Sequence, residues 1–203
     1  MAFVFDSLTP LLLFAACVSA WVLPARAWAP SRVNIRFAAM LFAALAAARM
    51  LGLLLPQYSS IAPAVALIAA SLGATALGLG LLAFLARPVP AGAATLALGL
   101  SLGAGLAAVL SGAAVYALGC QLLGVSLTLA AGISAFAAKR PHALLSLMAA
   151  LSLLCGGMAL MAGTLFLADM FFAAALIGAA RASQPLVETE AKPGRLALIG
   201  LRG

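Results

Sequence analysis

Long apolar runs, broken by short polar or proline-bearing segments, set the pattern of this 203-residue chain. A helix needs roughly 20 apolar residues to cross the hydrocarbon core of a bilayer, with about 17 as the lower limit. On that measure the first span covers 3–24, from Phe3 to the break at Pro24. The segment ARAWAPSRVNIR, carrying Arg26, Arg32 and Arg36, separates it from a second span at 37–55, which Pro56 ends. A polar turn, PQYSS, leads into a third span at 61–86, closed by Arg87 in RPVP.

From Ala91 to Ala138 the chain runs 48 residues without a charge. One helix of that length would reach about 72 Å, far beyond any bilayer. The run must therefore fold as a hairpin, turning between Gly112 and Gln121, with spans at 93–112 and 118–138. KRPH at 139–142 ends the pair. The 38 residues from Ala143 to Ala180 pose the same problem around Gly156, Gly157 and Gly163, and divide into spans at 143–161 and 164–180. One long helix with a re-entrant or interfacial piece is the alternative, and would give six spans rather than seven.

Composition fixes the class. The chain is 67% hydrophobic and 7% charged, with a mean hydropathy of +1.24, whereas soluble domains carry about 25% charged residues. Four acids and eleven bases cannot make a water-soluble surface. The fold class expected is all-α: a polytopic integral membrane helix bundle over 1–181, then a short tail at 182–203. The net charge of +7 would suggest nucleic acid in a soluble chain. Here the bases fall between spans, as orientation signals do, so the expected partner is the lipid bilayer and no nucleic acid. With seven spans the loops alternate: Arg26, Arg32 and Arg36, none, Arg87, none, Lys139 and Arg140, none, then Arg181 at the end of the bundle with Lys192, Arg195 and Arg202 in the tail. The positive-inside rule then places the N-terminus outside and the tail in the cytoplasm. The first ten residues hold no Lys or Arg but do hold Asp6, so the first span reads as a retained helix rather than a signal peptide. Nine arginines against two lysines, with abundant alanine, reflect GC-rich codons and suggest a bacterial inner membrane.

Helices in lipid gain little from hydrophobicity against one another, so close packing depends on small residues. Gly99 and Gly103 form a GxxxG step in the fourth span, with Gly105 and Gly112 extending a smooth helix-packing face; the third span offers Gly73, Gly78 and Gly80. Ser71, Thr75, Ser101, Ser111, Ser126, Thr128, Ser134, Ser146 and Ser152 can bond back to their own helices or across to neighbours.

Few ionisable groups sit at membrane depth. Arg49 lies six residues before the outward end of span two, and Asp169 lies five residues into span seven. At 1.5 Å per residue these positions are roughly 9 Å and 8 Å from the outer ends of their helices. Asp6 begins span one on the same side. An isolated charge in the membrane costs a few kcal/mol, so Arg49 is expected to pair with Asp169, or with Asp6.

Catalytic signatures are missing. Cys17, Cys120 and Cys155 are isolated in apolar runs and form no metal or redox spacing. The single histidine, His142, lies in a basic loop, so haem ligation by paired histidines within this chain is excluded. No paired carboxylates, HExxH or nucleotide loop occurs, no cofactor is specified, and an enzyme is not expected. Two functions remain. One is an accessory, structural or assembly subunit of a larger membrane complex, packing against other subunits or itself. The other is a small-solute or ion transporter or channel, against which the absence of any acid or base in spans three to six counts.

Overall fold

The computed structural model describes residues 2–23, 29–86, 89–140 and 142–184, with side chains described from residues 8 and 31 onward in the first two segments. The remaining residues, including Arg26, Arg87 and all of the tail beyond 184, lie outside the description. Among the described residues every regular element is helical: α1 (Ala2–Val22), α2 (Ala29–Leu54), α3 (Ile61–Ile68, Ala69–Gly73 and Ala74–Leu85 in one continuous stretch), α4 (Ala91–Ser111), α5 (Val115–Ala137), α6 (Ala143–Met161) and α7 (Leu165–Ala182). Among the described residues, α2 to α7 are each long and apolar enough to cross a membrane, and Leu8–Val22 of α1 forms a shorter apolar helix. The chain is thus a multi-helix protein of the membrane type.

Local chemistry explains the breaks. Leu55 is extended (φ −129°, ψ 91°), as the residue before a proline must be, and Pro56–Tyr58 closes a 3-10 turn. Gly163 takes a left-handed φ of +73° after α6, and the Thr164 amide donates to the Ala159 carbonyl at 2.9 Å, closing the helix end. Lys139 ends α5 in the same way at φ +53°, with the Arg140 amide donating to Ala135 and the Lys139 amide to Phe136, both at 2.9 Å. Glycine is the usual residue at that position, so a lysine there carries backbone strain.

α3 is the axis of the bundle. Over an 18-residue stretch it is 78% buried, against 17% for α4. α2, α5 and α4 pack around it, α6 joins α5 to α7, and α1 closes the bundle between α7 and α2. Close approach depends on glycine: a Cβ on Gly78 would lie 2.6 Å from the Gly124 carbonyl oxygen, and one on Gly124 would collide with the Ala74 backbone. Phe42 of α2 stacks at 4.9 Å on Phe172 of α7.

Several boundaries differ from the sequence expectation. α2 begins at Ala29 rather than 37, because the hydrocarbon thickness limits the apolar run and not the helix. Arg32 and Arg36 therefore ride on helix instead of loop. The Arg36 guanidinium stacks 5.1 Å from the Trp21 ring centroid and its Nε donates to the Trp21 carbonyl at 3.1 Å. The hairpin turn occupies Gly112–Ala114, with Gly112 left-handed at φ +69°, so α5 starts at Val115 rather than 118 and Gln121 sits inside it. Gly112 turns the chain and has open space around it, so it is not part of a packing face. α4 begins at Ala91 and α7 runs to Ala182, each two residues beyond its expected end.

Candidate functional site

α2, α7 and α1 bring three polar side chains together near one end of the bundle. Arg49 Nε donates to Asp169 Oδ2 at 3.1 Å. The Thr9 hydroxyl reaches the same oxygen at 3.4 Å. Asp169 is 1% exposed and the Arg49 side chain 11%, so the carboxylate is sealed and the arginine nearly so. Both partners of the expected pair therefore meet, across 120 residues of sequence. The side chain of Asp6, the other expected partner, lies outside the described residues; its backbone sits one turn before Thr9 on α1. Asp169 follows from α7's first turn, since Thr164 precedes Leu165 and fixes the helix start by donating its hydroxyl to the Ala159 carbonyl at 2.9 Å.

A lone buried charge costs several kcal/mol, and a well-placed opposite charge with added hydrogen bonds offsets much of that. The cluster therefore joins α1, α2 and α7 through one carboxylate oxygen.

A second polar seam runs through the middle of α3. Residues Ala69–Gly73 form a π turn, all five buried. Such turns insert one residue into the helix and leave carbonyls to be satisfied locally. The Ser71 hydroxyl bonds the Leu67 and Ile68 carbonyls at 3.0 and 3.1 Å. Thr75 bonds the Ser71 carbonyl at 2.9 Å and meets the Ser101 hydroxyl of α4 at 2.7 Å. On α5, the Gln121 amide donates to the Leu153 carbonyl of α6, and Ser146 of α6 donates to the Thr128 carbonyl at 3.1 Å. Gln121 lies within α5, and burial of its amide at 1% exposure is possible because Gly157 leaves room for it.

The predicted packing glycines divide. A Cβ on Gly105 would lie 2.6 Å from Ser71 Oγ, so that glycine seats α4 on α3. A Cβ on Gly99 or Gly103 would meet nothing within 4 Å, and both face outward; among the described residues they pack against no other helix, correcting the expectation of one continuous glycine face. The reason is register: Ser101, Gly105 and Ala108 are the buried residues of α4, and they lie on the opposite side. Ser126 and Ser134 are exposed rather than buried.

Cys17, Cys120 and Cys155 are free thiols. Among the described residues no group of three His, Cys, Asp or Glu side chains is placed to hold a metal. Thr9, Ser31 and Gln121 are among the buried polar residues that sequence reasoning missed. For Thr9 the signal was its helical spacing from Asp6; for Gln121 no local signal distinguished helix from turn. Comparison with protein-family models, with curated proteins and with solved structures finds no match to this chain.

Proposed function

We propose that this protein is an accessory, structural or assembly subunit of a larger complex in the bacterial inner membrane. In this reading it crosses seven times, with its N-terminus outside and its tail in the cytoplasm. The exposed face of α4 carries the proposal. Gly99 and Gly103 open a shallow groove in which an added Cβ would meet nothing within 4 Å, flanked by Leu96, Leu106 and Leu110 at 65%, 44% and 86% exposure. A GxxxG groove lets a second helix backbone approach closely, which is how helices in lipid gain packing energy. The occupant we assign is a transmembrane helix of a different subunit. Arg49 and Asp169 contribute to this function by holding the bundle together.

The basic residues fit the proposed orientation. Ser31 donates to the Gly80 carbonyl and Arg140 to the Phe84 carbonyl, so the start of α2 and the ends of α3 and α5 share one end of the bundle. Arg32, Arg36, Lys139 and Arg140 gather there.

The test is a photoreactive amino acid placed at Leu96 or Leu110, compared with Leu151 on α6, which is also exposed at 62%. The proposal expects a discrete protein adduct in native membranes from the α4 positions and not from 151. Adducts to lipid alone, or equal capture at all three, would count against it. A transporter or channel is the second reading, favoured by the π turn beside the Thr75–Ser101 pair, since π turns recur at functional sites. Purified protein in liposomes that moves solute, with loss of flux on Thr75→Val, would replace the subunit reading.

A further inference from the structure

An open cavity of about 510 Å³ lies between the ends of α3, α4 and α5, within the range of about 300–1,000 Å³ typical of small-molecule sites. We infer that it holds the phosphate and upper acyl chain of an anionic glycerophospholipid from the leaflet on the basic side of the membrane.

Three chemical features converge at the cavity. Leu82, Leu85 and Val89 line it with apolar surface suited to an acyl chain. Arg140 and Ser134 line it with a guanidinium and a hydroxyl. Arg140 spends one donor on the Phe84 carbonyl at 3.4 Å, which anchors its guanidinium at the end of α3; a guanidinium has five N–H donors in all, so most stay available to a phosphate. Pro90, also in the lining, is the N-cap of α4 and provides no side-chain cap. The N-terminus of α4, whose dipole is positive, therefore begins directly after a residue of the cavity wall.

Charge complementarity and position select the occupant. The cavity sits where basic residues gather, and basic pockets between transmembrane helices on that side are suited to anionic headgroups. A headgroup without an acyl chain would leave the leucine wall unused. Lys139 supports the same assignment. Its left-handed φ of +53° is strained for a lysine, and the tight turn it makes brings Arg140 back over α3.

The experiment is native mass spectrometry of the purified full chain exchanged into detergent with phosphatidylglycerol or phosphatidylcholine. One phosphatidylglycerol per chain is expected to survive activation, with at least tenfold less phosphatidylcholine. Arg140→Ala should reduce retention about tenfold, whereas Arg181→Ala, at the exposed end of α7, should not. Ala138→Trp, an exposed wall position, fills the cavity while keeping the Arg140 guanidinium and should lower retention equally, so the idea stays testable if Arg140→Ala misfolds. Equal retention of both lipids, or unchanged retention in Arg140→Ala and Ala138→Trp, overturns the inference. Displacement of the lipid by millimolar inorganic phosphate alone also overturns it, by assigning the site to free phosphate.

Discussion

Removing one member of the Arg49–Asp169 pair should be worse than removing both. Arg49→Leu strips the carboxylate of this guanidinium at a position only 1% exposed. Breaking a buried pair costs about 3–5 kcal/mol, because the remaining charge keeps its desolvation penalty. Asp169→Asn preserves shape and the contact with Thr9 while removing the negative charge. Its cost is lower, about 2–3 kcal/mol, because Arg49 is 11% exposed and a long side chain can reach towards headgroups. The double variant carries neither charge and should lose about 1–2 kcal/mol, mainly in hydrogen bonding. For a chain of this size each kcal/mol shifts the melting temperature by about 2–4 °C. The single variants should therefore fall by roughly 4–20 °C and the double by roughly 2–8 °C, less than Arg49→Leu alone. Cys17, 4% exposed in α1, provides the readout, since a thiol-reactive fluorophore reaches it when the bundle opens. A double variant that loses as much as the two singles combined would show no coupling and would refute the pairing.

Other expectations follow from packing. Gly124→Ala should cost about 1–3 kcal/mol by forcing α5 off the Ala74 backbone, whereas Gly99→Ala and Gly103→Ala, facing open space, should leave thermal unfolding of the isolated chain unchanged or raise it slightly. Lys139→Gly should stabilise the chain by about 1 kcal/mol by relieving its left-handed backbone, seen as a higher melting temperature. Thr75→Val should lose about 1 kcal/mol with the Ser101 contact; no loss would mean that the π turn does not depend on that hydroxyl.

The spans were legible because membrane thickness imposes a length that apolar runs must satisfy. Pro56, Gly163 and the basic KRPH segment marked boundaries within a residue or two. The start of α2 was less legible, since Ser31, Arg32 and Arg36 are polar yet helical, held by contacts to Gly80 and Trp21 that lie on other helices. The Arg49–Asp169 pair was readable because two charges at equal depth have few other ways to lower their cost. The register of α4 was not: glycines at 99, 103 and 105 look alike in sequence, and only the seating of Ser101 and Gly105 against α3 decides which of them face outward. The π turn was equally hidden, because Ala69–Gly73 has no composition that distinguishes it from ordinary helix.

The most direct test of the central claim is mild-detergent purification of the tagged protein from its native membrane, with quantitative mass spectrometry of what stays bound. The account predicts a stoichiometric membrane-protein partner that is lost when Gly99 and Gly103 are both changed to leucine, while the chain itself remains folded. A monomer, or an assembly of this chain alone, would contradict it.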